Sequence, residues 1–168
     1  SGLFLSEKTA IGPLFEKSCR YLFAIIFPIA FGLAAIADPV VRHVFGQEFL
    51  PSITPLRFLL IGLIFGFLSF ITGALLNATN KQKTQTKLMA LVLVVSIILN
   101  LILLPRFGIT GAAIAALASN AVLCLAGFYF VSRQVAINFK NILKYINQTL
   151  WPAMAMAMIV YYFSEKIH

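Results

Sequence analysis

Asp38, His43 and Ser52 fall within one short stretch and are, by type, a carboxylate, an imidazole and a hydroxyl. Such a set carries acyl transfer when the imidazole takes the hydroxyl proton and the carboxylate orients the ring. Type alone does not establish that chemistry. The steps from Asp38 to His43 and from His43 to Ser52 match no triad or metal-ligand spacing, and Pro39, Gly46, Pro51 and Pro55 mark the stretch as a solvated loop. The other acids are Glu7, Glu16, Glu48 and Glu165, and no acid lies in the middle of an apolar run. Gly-rich phosphate loops, HExxH and CxxC are absent. Cys19 and Cys124 are isolated and read as small apolar fillers. The residues therefore point to no catalytic set, no metal and no cofactor.

Two arginines suggest a different chemistry. Arg20 and Arg57 each stand immediately before a long uncharged run. A guanidinium holds phosphate oxygens in a bidentate fork, so both are candidate substrate-binding residues for an anionic headgroup. An arginine at the edge of a span also snorkels, with its stem in the apolar layer and its charge in water. Both readings stand on sequence alone.

The elements that must position these residues follow from composition. Of 168 residues 61% are apolar and 11% charged, against about a quarter charged in a typical soluble domain. Cutting at Lys, Arg, Asp and Glu leaves five long runs: Tyr21–Ala37 (17 residues), Phe58–Asn80 (23), Leu88–Pro105 (18), Phe107–Ser132 (26) and Tyr145–Ser164 (20). A helix crosses the hydrocarbon layer in about 20 residues. A soluble globular domain, a nucleic-acid binder and a disordered tail are excluded, and nucleic acid is not a partner despite the net charge of +8. The expected fold is all-α: a polytopic membrane helical bundle of about five transmembrane helices, with the lipid bilayer as its first partner.

Lysine and arginine set the orientation, because cytoplasmic loops carry their excess. Lys8, Lys17 and Arg20, then Lys81, Lys83 and Lys87, then Arg133, Lys140 and Lys144 fall in one alternating set of segments; Arg42, Arg57, Arg106 and Lys166 fall in the other. The richer set is expected inside. Residues 1–20 then form a cytoplasmic or interfacial segment, 21–132 four spans, 133–144 a basic cytoplasmic linker and 145–168 a further span ending outside. The missing initiator Met suggests a piece of a longer protein.

Small residues and breakers organise the spans. Gly62 and Gly66 form a GxxxG pair, continued at the same spacing by Ser69 and Gly73. Gly111, Ala115 and Ser119 repeat at four. In lipid, helices associate by close approach of small residues, so both stripes are expected packing faces, although small residues are also simply common in such helices. Pro28 predicts a kink in the first span, with Gly32 close behind it. Pro105 and Gly108 bound a turn short enough to require an antiparallel helical hairpin. Asn77 and Asn100 read as helix-to-helix hydrogen-bond partners.

The order of these features resembles a known family. "FPIAFGLAAIADPVVRHVFG" is followed by "PLRFLLIGLIFGFLSFITGALLNATNKQK" and then "ILNLILLPRFGITGAAIAALASN". Residues 20–132 are similar to the C-terminal half of polysaccharide flippases, the Wzx-type O-antigen transporters of the multidrug/oligosaccharidyl-lipid/polysaccharide exporter superfamily. Asn100, Pro105, Gly108, Gly111 and Ala112–Ala116 carry the most specific part; Pro51 and Pro55 depart from the pattern.

The resemblance implies part of the C-terminal lobe of a two-lobed transporter in the bacterial or archaeal cytoplasmic membrane. It further implies movement of undecaprenyl-pyrophosphate-linked oligosaccharide by alternating access, with the polysaccharide polymerase and assembly machinery as further partners. It places the first span here ninth in the whole protein, which starts on the cytoplasmic face, and puts two cavity-lining spans upstream of Ser1. A lipid II flippase or multidrug antiporter of the same superfamily is the alternative, and a membrane enzyme or scaffold a more distant one.

Overall fold

With no water in the bilayer core, a spanning chain satisfies its backbone polar groups internally, and apolar runs of this length do so as helices. The computed structural model shows this arrangement. It describes residues 2–135 and 139–166, with side chains over 12–135 and 140–163. The middle of the expected basic linker and His168 lie outside the described residues, as do the side chains of Glu7, Lys8, Glu165 and Lys166. Five α-helices follow in order: α1 Gly2–Ala35, α2 Ala37–Val40, α3 Ile53–Ala78, α4 Gln82–Ser132 and α5 Phe139–Lys166. A π turn over Val41–Phe45 and a 3-10 helix over Gln47–Ser52 join α2 to α3.

Among the described residues three stretches are long and apolar enough to span a membrane: Gly12–Ala35, Gln47–Ala78 and Gln82–Ser132. The protein is thus a multi-pass membrane helical bundle. The third stretch, at 51 residues, is about 76 Å of helix if straight, far beyond a bilayer's thickness of about 30 Å. It is not straight. Gly108 has φ 57° and ψ −137°, a conformation closed to side-chain-bearing residues, and the chain reverses there. The Gln85 side chain lies against Gly73 of α3, and Thr72, the next residue, lies against Gly127. On a straight helix residues 85 and 127 would be about 63 Å apart. The two arms of α4, 82–107 and 109–132, are therefore antiparallel, as the Pro105–Gly108 turn predicts. α5, diluted by Asn147, Gln148 and Thr149, is not among the three stretches.

Each reversal has a local cause. α3 ends in a Schellman motif: Asn80 takes φ 57°, the Lys81 N–H bonds the Leu76 carbonyl at 2.8 Å and the Asn80 N–H bonds that of Asn77 at 3.2 Å. Gly46, at φ 91°, separates the π turn from the 3-10 helix. The kink expected at Pro28 does not interrupt the helix. α1 runs through Pro13 and Pro28 to Ala35, and the interruption comes at Ile36. Gly32 sits inside α1, where a Cβ would come within 3.1 Å of Met156 Cε on α5.

α3 packs most extensively on α4, and α1 lies between α3 and α5. The core runs through all four long helices: Phe23 of α1, Leu76 of α3, Val131 of α4 and Ile142 of α5 are buried. The outside is apolar too: Leu101, Ile109 and Leu125 are each about 70% exposed. In water such a surface would aggregate; in lipid it is the solvated face.

Candidate functional site

The helices bring the three most basic segments to one end. At that end the Thr79 hydroxyl, in the α3–α4 turn, lies 3.1 Å from Gln134 Oε1 beyond α4. Asn141 Nδ2 of α5 donates to Glu16 Oε2 of α1 at 2.8 Å. Phe15 and Phe128 meet edge to face, their ring centres 5.8 Å apart. Lys17, Arg20, Lys81, Lys83, Lys87, Arg133, Lys140 and Lys144 are all exposed around this end. The opposite end joins the π and 3-10 segments to the α4 reversal, where Val41, Phe45, Phe49 and Ile109 share an apolar hollow of about 340 Å³.

The two candidate phosphate-binding arginines are not together. Arg20 lies over the Tyr145 ring of α5, its guanidinium carbon 5.5 Å from the centroid, a cation–π distance. Arg57, at the far end, donates from Nε to the Ala34 carbonyl at 3.3 Å. That carbonyl belongs to the last turn of α1, where an arginine both satisfies a terminal acceptor and complements the helix dipole. From Arg20 to Ala34 is about 21 Å of helix. One headgroup cannot meet both arginines, and the geometry separates a pair that the sequence groups by chemistry alone.

The Asp38, His43 and Ser52 set does not assemble as a triad. Asp38 pairs with Arg42 at 2.9 Å, and the His43 ring nitrogen lies 2.9 Å from the Pro39 carbonyl of its own turn. Among the described residues no group of three His, Cys, Asp or Glu is placed to hold a metal ion. Cys19 and Cys124 are free and buried in the shared core.

The small-residue stripes meet different neighbours. A Cβ on Gly111 would run into the Leu103 carbonyl of the opposing arm, so the α4 hairpin closes at backbone distance there. Ala115 and Ser119, on the same stripe, are buried, and Ser119 Oγ has no hydrogen-bond partner. Gly62 faces Leu117, with 3.4 Å from an added Cβ to its Cα. Gly73 faces the Gln85 amide. Gly66 is a correction: nothing lies within 4 Å of the position its Cβ would take, so it borders open space rather than a helix. Asn100 is another, since its Nδ2 donates to the Ser96 carbonyl one turn back in its own helix, at 2.8 Å.

Sequence reading missed Gly127, Thr72 and Gln85. Gly127 lies sixteen residues after Gly111, on the same four-residue stripe, but Leu123 interrupts the small residues and hides the continuation. Thr72 bonds the Ser69 carbonyl at 3.0 Å and so enters the helix contact with its hydroxyl satisfied. Gln85 sits in a loop-like basic run, and nothing local shows that it turns inward.

The family model described as "Lipid II flippase MurJ" matches residues 5–168. A relative described as "Probable low-salt glycan biosynthesis flippase", from Haloferax volcanii, is 30% identical over 135 residues, covering 80% of this chain and 29% of its own. An uncharacterized membrane protein of Methanocaldococcus jannaschii is 25% identical over 134 residues, covering 80% of this chain and 26% of its own. The chain thus spans less than a third of the length of either relative. No solved structure matches.

Proposed function

The chain belongs to the lipid II flippase MurJ family, and on that premise we propose that it forms part of a flippase carrying a polyprenyl-linked saccharide from the cytoplasmic to the outer leaflet. The observation that carries this reading is the family match over residues 5–168. The family is one of transporters rather than enzymes, and a glycan-biosynthesis flippase stands among the relatives.

The cargo has two forms within this reading. The family model favours the lipid II type; the relative's description as a glycan biosynthesis flippase favours a glycan intermediate. Reconstitution of the whole protein with fluorescent versions of each, scored by loss of the label to an outside quencher, separates them. Movement of neither cargo would overturn the flippase reading.

The first and last segments are proposed to stand on opposite sides, with the basic end inside, because positive charge is retained in the cytoplasm. Five helical crossings satisfy that reading: α1, α3, the two arms of α4, and α5, which is taken as the fifth crossing although it is less apolar than the other stretches. Cysteine labelling should find Thr84 accessible from inside and Gln47 from outside; the reverse result inverts the topology. Transport by alternating access takes two opposed lobes, so this chain alone is expected to insert without flipping. Arg57 remains a candidate for the pyrophosphate at the outer end. Arg57→Ala in the whole protein should slow export without preventing insertion; unchanged export would leave Arg57 its contact with Ala34 alone.

A further inference from the structure

The open side of the α3–α4 contact has a chemistry of its own. On α3, Leu59, Leu63, Gly66, Phe70, Gly73 and Asn77 succeed one another at steps of three and four, one continuous stripe of the helix. They line two hollows of about 360 and 440 Å³ that share Gly66 and Phe70 and so form one groove. From Leu59 to Asn77 the groove follows about 27 Å of helix, close to the hydrocarbon thickness of a bilayer. It narrows nowhere at Gly66, where an added Cβ would meet nothing within 4 Å.

The groove is apolar along most of its length and polar at one end. Gln85, on the α4 wall opposite Gly73, is 8% exposed. Among the described residues its side-chain amide makes no hydrogen bond, and it lines the open groove, where an amide facing hydrocarbon lacks a partner. Asn77 lines the same end. Lys81, Gln85 and Met89 fall at four-residue spacing, and Lys81 is the exposed residue that opens α4. The polar end is thus the basic end, with Lys83 and Lys87 beside it.

We propose that this groove holds an anionic phospholipid of the surrounding bilayer. Its phosphate accepts from the Gln85 amide and is neutralised by Lys81, and one acyl chain runs along the α3 stripe across Gly66 towards Leu59. Each part answers an observation: the unpartnered amide takes a phosphate oxygen, the basic end selects negative charge, and the apolar notch takes the chain. The inference concerns a resident lipid, and its test does not involve transport.

The test uses the chain in vesicles with Trp151→Phe and Phe70→Trp, which moves the single tryptophan into the groove. Phosphatidylglycerol or phosphatidylcholine with brominated acyl chains is supplied at matched mole fractions. Quenching by the anionic lipid is expected at about fivefold lower mole fraction, the factor one well-placed cation confers. Adding Lys81→Ala and Gln85→Leu should abolish the preference while quenching by phosphatidylcholine persists. Gly66→Leu, which places a branched side chain in the notch, should weaken quenching by the anionic lipid with helix content unchanged. Equal quenching by both lipids before these changes, or a preference that survives the loss of Lys81 and Gln85, overturns the proposal. So does relief of the quenching by an equal mole fraction of polyprenyl phosphate, which would make the groove a site for a prenyl tail instead.

Discussion

The α3–α4 contact and the α1–α5 contact join their helices by different means. Across α3–α4 the closest approaches are made by absent side chains: Gly62 against Leu117, Gly127 against Thr72, and within α4 Gly111 against the Leu103 carbonyl. Across α1–α5 they are made by present ones: Asn141 on Glu16, Arg20 over Tyr145, and Met156 filling the space at Gly32. Lipid gives no hydrophobic drive to press two apolar helices together, so dispersion at short range must do it, and that range is reached only where a Cβ is missing. Near the basic end water is at hand and polar pairs suffice. The first kind of contact fails when an atom is added, and the second when one is removed.

That contrast can be broken in four places. Gly111→Ala should cost the most, about 3 kcal/mol, because the new methyl meets backbone that cannot rotate away; unfolding in mixed micelles followed by circular dichroism measures it, and a negligible loss would show that the hairpin opens freely. Gly127→Ala should cost about 2 kcal/mol, since its neighbour is a side chain. Combining it with Thr72→Ala should recover about 1 kcal/mol as a coupling energy in a double-mutant cycle, and strict additivity would deny the contact. Asn141→Leu removes one interhelical hydrogen bond and should cost about 0.6 kcal/mol in the same assay. Gly66→Ala should cost nothing and gain about 0.5 kcal/mol from helix propensity. A loss at Gly66 as large as that at Gly127 would mean that the GxxxG pair packs as a unit after all.

The readability of each region follows the same division. The membrane class, the grouping of the charges and the reversal at Gly108 are local properties: runs without charge, loops with lysine, and a glycine beside a proline. Gly111 was legible because the hairpin that it closes lies within a few residues. Gly66 was not, because spacing on α3 does not say how α3 is rotated against α4: Gly62 meets Leu117 and Thr72 meets Gly127, while Gly66 between them faces open space. Asn100 looked like a bridge between helices, yet Ser96 one turn back offers a carbonyl at no cost in reach. Arg20 and Arg57 share a chemistry but stand on different helices about 21 Å apart along α1, and a residue type carries no coordinate along the membrane normal. Gln85 was hidden for the opposite reason: its neighbours in sequence are lysines and threonines, whereas its neighbours in space are Gly73 and Leu123.

By itself the sequence determined that this chain lives in a bilayer, how its charges divide between the two ends, where it turns back at Gly108, and which family it resembles in outline. These depend on solvation and on backbone conformation, which act over one residue or one turn. Only the tertiary structure decided which small residues touch a neighbour, which arginine ties α1 to α3, and that the Gln85 side chain and an open glycine line the same groove. Those depend on the relative rotation and depth of helices, and a rotation of one helix by a single residue, about 100°, exchanges its packed face for its lipid face without changing one letter of its sequence.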